Sequence, residues 1–277
     1  MNNEKNDKKL PIGVALGGGG ARGASHIGVL QKLNEAGLKI DIISGVSAGS
    51  VIAAMYAFSE DPFWIEDQFR SLWSKNKFQK KQLFEYNIAF HKLRKNSFFE
   101  IDQLENAIRT LLPITNFSEL RIPLKVVATN LNDGQDIVYH EGDLIRPLIQ
   151  SCSIPGIFPP FIDSNKVISD GGVSMPIPIS VIKNLCHFSI VIDIGQYTLS
   201  KLDFSNAKSI TKRAKIITSN KLKHLLSLQA DFVIEPDTLG KEWSDFEACE
   251  DLLVQGRISA ENNIGQLMQI IKEKQSN

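Results

Sequence analysis

Short continuous apolar runs alternate along this chain with stretches whose apolar residues recur at helical spacing. Residues 12–16 form one such run, end in glycines, and predict a buried strand. A helix follows from about Arg22, with Ile27, Leu30 and Leu33 on one face, and Gly37 stops it. Residues 40–44 predict the next strand and residues 50–58 an alanine-rich helix able to pack tightly. Strand, helix, strand, helix implies right-handed crossovers and a parallel sheet. Residues 63–73 read as a helix with Ile65, Phe69, Leu72 and Trp73 on one side, and Ile101, Leu104, Ile108 and Leu111 mark another amphipathic helix.

The alternation resumes with a strand over 124–129. The turn signal Asn132-Asp133-Gly134 then leads to a strand near 137–139. A short helix covers 144–150, with Pro147 tolerable near its first turn. Pro155-Gly156 and Pro159-Pro160 force a loop. Residues 167–169 run as a strand into Asp170, and 188–194 and 232–234 predict further strands. Ser244-Asp245-Phe246-Glu247 has the spacing of a capping box that opens the last long helix. The expected class is therefore α/β, a three-layer α/β/α arrangement with a mainly parallel central sheet.

Composition narrows the possibilities. The 277 residues, 43% of them hydrophobic, suffice for one large domain over 10–277. Residues 1–9 are polar, lack the apolar core of a signal peptide and read as a disordered tail. The run 42–58 is interrupted by serines and glycines and is too short for a membrane span. Lys and Arg balance Asp and Glu at 31 each, so no nucleic-acid partner is indicated. The three cysteines are widely spaced and the five histidines scattered. No structural zinc site is expected, and a reduced, cytoplasmic setting is the default.

One region departs from neutrality. Residues 75–95 carry seven Lys or Arg against Glu85 alone, with Phe78, Phe84, Tyr86, Ile88 and Phe90 among them. Residues of about 60–115 are read as a helical, basic insertion over the sheet. The stretch 75–95 is either a contact with an anionic bilayer or a solvated face whose aromatics pack on the domain.

Three glycine-bearing motifs carry candidate chemistry. Gly45-Val46-Ser47-Ala48-Gly49 lies between a predicted strand and helix, the context of a nucleophile elbow, in which Gly45 and Gly49 let the chain turn abruptly and Ser47 presents its hydroxyl. Gly18-Gly19-Gly20-Ala21-Arg22-Gly23 offers backbone N–H groups of Gly18, Gly19 and Gly20 to a developing oxyanion. Arg22 fixes that loop, attracts an anionic head group, or is a surface arginine at a helix end. Asp170-Gly171-Gly172 supplies a carboxylate at the strand edge where α/β sites assemble. Nucleophile, oxyanion site and base are the working parts of acyl transfer.

Rival readings exist for each part. The glycine loop also fits G-x-G-x-x-G, so a dinucleotide-binding oxidoreductase is an alternative. That reading wants an acidic residue closing the second strand, whereas Asp41 precedes the core of that strand and Ser47 follows it. A Ser-His-Asp triad would need a histidine after the acid. His187 opens a strand at the opposite edge, and His224, in a helical stretch, has no fixed place relative to Ser47. His26, His91 and His140 have no catalytic context. A Ser47–Asp170 dyad is favoured, with Asp193 and Asp163 in structural roles. A third possibility is a lipid-binding or regulatory protein that keeps the fold without turnover.

Together these motifs resemble the patatin-like phospholipase family. The matching pieces are the run from Gly18 to Leu30, Gly45-Val46-Ser47-Ala48-Gly49-Ser50 and Asp170-Gly171-Gly172. The stretch from Ser151 to Pro160 is also similar to the family's loop before the aspartate motif. The resemblance implies Ser47 as nucleophile, Asp170 as base and the Gly18–Gly20 amides as oxyanion donors. Arg22, Gly23, Gly45, Gly49, Gly171 and Gly172 would be the supporting loop residues. It implies hydrolysis of phospholipid or lysophospholipid esters with no cofactor and no metal.

Overall fold

The computed structural model describes residues 11–75, 101–195, 199 and 206–276. The tail and most of the basic stretch 75–95 lie outside these residues. The strands are β1 (Ile12–Leu16), β2 (Ile42–Val46), β3 (Leu124–Asn130), β4 (Asp136–Tyr139), β5 (Phe161–Asp163), β6 (Lys166–Asp170), β7 (Phe188–Ile192) and β8 (Phe232–Ile234). The helices are α1 (Ala24–Glu35), α2 (Ala48–Ser59), α3 (Pro62–Lys75), α4 (Ile101–Leu111), α5 (Ile145–Ser151), α6 (Ala207–Ser227) and α7 (Cys249–Ser276).

All eight strands join one sheet in the order β5-β6-β3-β2-β1-β7-β8, with β4 paired to β3. The pairs β1–β2, β1–β7, β2–β3 and β7–β8 are parallel. Every residue of β1, β2 and β7 is buried, as central parallel strands covered on both faces require. Ile12, Val14 and Leu16 face the larger core with α1, α2 and α7, while Ala15 faces a smaller one with Ile177, Ile179 and Ile182. Leu226 of α6 packs on that second face. The architecture is α/β with helices on both faces of a mixed sheet.

β4, β5 and β6 run antiparallel to their neighbours, and this matters for the site. Val46 pairs with Val127 of β3, and Asp170 with Ala128. The residue after β2 and the last residue of β6 therefore lie level at one rim, although the two strands arrive from opposite directions.

Three expectations need correction. β2 runs over Ile42–Val46 instead of 40–44, so Gly45 and Val46 belong to the strand. The first helix is preceded by a 3₁₀ turn, Gly20–Gly23. The capping box at Ser244 does not form; Asp245 caps a 3₁₀ turn without a side-chain bond there, and its carboxylate accepts from the Glu242 N–H at 3.0 Å instead. The structure also adds β5, since Phe161–Asp163 is too short to show a period.

Candidate active site

Ser47 sits at the turn from β2 into α2 with φ +54° and ψ −132°, a conformation costly for a residue with a side chain. The turn exists because its neighbours lack side chains. A Cβ on Gly45 would stand 2.4 Å from the Gly49 carbonyl oxygen, and one on Gly49 would stand 2.5 Å from that of Leu16. The backbone is held from the far side too. The Ser47 N–H donates to Ser151 Oγ at 2.9 Å, and Ser151 Oγ donates to the Val127 carbonyl at 2.6 Å.

Ser47 Oγ donates directly to Asp170 Oδ2 at 2.6 Å, and both residues are buried. The other carboxylate oxygen, Oδ1, accepts the Gly172 N–H at 2.7 Å, which fixes the rotamer. A Cβ on Gly171 would fall 2.2 Å from the Val127 carbonyl, so that glycine permits the chain to cross the strand end. Burial pushes the Asp170 carboxyl up to about 6, against the opposing pull of the Ser47 hydroxyl, the Gly172 amide and the Lys223 charge. A carboxylate so raised is a stronger base than a solvated one.

The glycine loop lies beside the serine. A Cβ on Gly18 would be 3.3 Å from Ser47 Cβ. The Gly18 N–H, one of the three expected donors, donates to the Pro176 carbonyl at 3.1 Å. The Gly19 and Gly20 N–H groups have no acceptor among the described residues. The Gly19 carbonyl accepts from Arg22 Nε and from the Arg22 N–H, both at 3.3 Å. Arg22 is buried and braces the loop from within instead of lying on the surface. Gly20 has φ +58°, and a Cβ there would collide with the Trp243 carbonyl, which accepts the Ala21 N–H at 2.7 Å.

Among the described residues no histidine hydrogen-bonds Ser47 or Asp170, and His91 lies outside those residues. His26 is buried, with Nε2 2.8 Å from the Gly17 carbonyl, and burial lowers it to about 4, so it is neutral. Asp193 is fully buried and accepts the Gly195 N–H at 2.9 Å, a structural role. Asp163 is at the β5–β6 turn, 3.2 Å from Arg146. Ser151, Pro176, Lys223 and Trp243 support the site without any local sequence signal for that role. Of these, only Ser151 lies within a stretch that the motifs single out, the run before Asp170-Gly171-Gly172.

The chain has recognisable relatives among known proteins. The family profile described as patatin-like phospholipase matches residues 14–182. Neuropathy target esterase sws of Drosophila melanogaster is 31% identical over 187 residues, 66% of this chain and 13% of that protein. Lysophospholipase NTE1 of Cryptococcus neoformans is 30% identical over 185 residues, 66% of this chain and 11% of that protein. The chain thus matches only a small part of each of these relatives. Among solved structures, human GIVD cytosolic phospholipase A2 with a fluorophosphonate inhibitor and terbium chloride covers the whole chain and 61% of its own at 12% identity and a TM-score of 0.58. VipD from Legionella pneumophila covers 96% of this chain and 67% of its own at 15% identity and a TM-score of 0.53. At such identities these two likenesses speak to the fold.

Proposed function

We propose that this chain, which belongs to the patatin-like phospholipase family, is a serine acyl hydrolase that cleaves phospholipid or lysophospholipid esters through a Ser47–Asp170 dyad. The observation that carries the reading is the direct 2.6 Å hydrogen bond from Ser47 Oγ to Asp170 Oδ2 beside two uncommitted loop amides. Asp170 takes the Ser47 proton as Oγ attacks the ester carbonyl. The oxyanion is received by the Gly19 and Gly20 N–H groups, and the alcohol or lysolipid leaves with the proton. Water, deprotonated by the same carboxylate, then attacks the acyl-enzyme; the Oγ–acyl bond breaks, Asp170 returns the proton to Ser47 Oγ, and the fatty acid is freed. No step requires a metal or a cofactor. The dinucleotide alternative has less support, since the Gly18 amide is engaged internally and the second strand ends in the serine turn.

The test is a panel of diacyl and lysophospholipids together with a fluorophosphonate label. Release of fatty acid and labelling at Ser47 support the reading. Lipid binding without either would identify the chain as a non-catalytic lipid-binding protein. Contact of residues 75–95 with an anionic surface rests on their charge pattern alone and belongs to the same proposal.

The carboxylate sets a pH dependence. Asp170 works only when ionised, and burial holds it at about 6. Turnover of a soluble ester is expected to fall about tenfold per pH unit below that point, following the fraction ionised. A rate unchanged from about pH 7 down to about 4.5 would remove Asp170 as the base.

A further inference from the structure

Helix α6 contributes a buried cation beneath the glycine loop. Lys223 has a side chain only 4% exposed, and its Nζ donates to the Gly18 carbonyl at 2.7 Å. The groups facing it are Asp193, whose Oδ1 is 3.8 Å away, with Arg22, Asp170 and His26 within electrostatic reach. In a trans peptide the C=O and the following N–H point in opposite directions. A lysine holding the Gly18 oxygen therefore turns the Gly19 N–H away from itself. Arg22 does the same for the next peptide by holding the Gly19 oxygen, which turns the Gly20 N–H.

We infer that Lys223 is a positioning residue that aims and polarises the Gly19 N–H toward the oxyanion formed at Ser47. This rests on the hydrolase reading above. A charged donor on the Gly18 oxygen strengthens the donor at the other end of the same amide. It also places a positive charge behind the forming negative one in a low-dielectric setting. Burial lowers Lys223 to about 8, and Asp193 opposes the fall. The charge is thus present at neutral pH and lost at mildly alkaline pH, which gives the rate an alkaline limb in addition to the acidic one from Asp170.

The experiment uses Lys223→Met with a soluble p-nitrophenyl acyl ester. The expected result is a kcat lower by at least about tenfold, a share of what one oxyanion donor supplies, at nearly unchanged KM. Fluorophosphonate labelling slows in parallel, and the parent's alkaline limb near pH 8 disappears. Asp193→Asn, which keeps Lys223 and removes its counter-charge, should move that limb to lower pH and serves if Lys223→Met does not fold. Full kcat with the limb intact in Lys223→Met, or an unmoved limb in Asp193→Asn, overturns the inference. Failure of the parent itself to label or turn over strikes the hydrolase reading instead.

The opposite side of the same helix carries an independent observation. Residues 207–227 hold six Lys or Arg and no Asp or Glu in a chain of zero net charge; of these, Lys223 is the buried one and Lys212 is paired with Glu242 at 2.6 Å. Ile210 and Ile217 of α6, and Leu225 and Leu228 at its end, are 45%, 42%, 61% and 68% exposed. They recur at helical spacing, with exposed Lys215 and Lys221 beside them. Apolar residues flanked by cations, with no anion on the helix, match an anionic bilayer, which offers negative head groups over acyl chains. We propose that this face of α6 docks on an anionic lipid surface.

Flotation with vesicles of phosphatidylglycerol and phosphatidylcholine tests it. The parent should float with the anionic vesicles, lose binding in high salt, and ignore pure phosphatidylcholine. Leu225→Asp with Leu228→Asp should abolish flotation, and Lys221→Glu should weaken it by about fivefold or more, the worth of one surface lysine. Equal flotation of parent and variants, or a parent dimer that Leu225→Asp dissociates, overturns the proposal; the second result would mean that another copy covers this face.

Discussion

Replacement of Ser47 by alanine is expected to abolish fluorophosphonate labelling and to lower kcat by at least about 10³-fold, the scale on which loss of a covalent nucleophile is felt. Asp170→Asn should come close to the same loss, because the amide holds the geometry but cannot take the proton. The two changes act on one step, so the double variant should be scarcely worse than either single one. Unfolding is separable from catalysis by the sign of the linkage. The folded-state value of Asp170 lies above its ordinary one, so the carboxylate favours folding when protonated and opposes it as pH rises through about 6. Asp170→Asn at about pH 8 should therefore melt no lower than the parent while being inactive. An active Asp170→Asn enzyme, or equal labelling of parent and Ser47→Ala, would reject the dyad.

The largest effect on stability is expected where α1 crosses α7. Gly28 and Gly256 face each other's helices without room for a methyl group. A Cβ on Gly28 would stand 2.1 Å from the Leu253 carbonyl oxygen, and one on Gly256 would stand 2.1 Å from that of Ser25. Ser25 Oγ reinforces the crossing by donating to the Leu252 carbonyl at 2.9 Å. The obstacles are backbone atoms of helices, which cannot move aside singly. Gly28→Ala and Gly256→Ala should each cost about 3 kcal/mol, the upper end of overpacking, seen as a fall of roughly 6–12 °C in Tm. Gly265 lies on the same α7 helix, and a Cβ there would meet nothing within 4 Å. Gly265→Ala should stabilise by about 0.5–1 kcal/mol through helix propensity alone. The same substitution on one helix then has opposite signs, read from two melting curves. A Gly28→Ala protein as stable as the parent would show that the helices can part at little cost.

Local patterns announce most of the sheet and the three motifs. β1, β3, β4, β7 and β8 follow from apolar runs and turn chemistry, because burial on both faces leaves a continuous apolar signature. Ser47 is legible because strand, small residues and helix succeed one another within a few positions. The end of β2 is less so: Gly45 reads as a breaker, whereas its lack of a side chain serves the close approach of Gly49 and Ser50. The antiparallel sense of β6 has no local signal. Asp170 is legible from its motif, but its level with Ser47 comes from register across β3. Lys223 is hidden for a related reason. A lysine among six cations on a helix reads as solvated, and only the docking of α6 on the second face buries it. The commitment of the Gly18 amide to Pro176 is equally out of reach, since it depends on a contact between residues far apart in sequence.

The brace supplied by Trp243 limits how far this protein could be trimmed. Its carbonyl anchors the Ala21 amide, and Lys223 anchors Gly18, yet both come after the last motif at Asp170-Gly171-Gly172. A fragment ending near residue 195 would keep every recognisable signature and lose both anchors. The unit that keeps the glycine loop anchored is consequently longer than the stretch by which the chain is recognised.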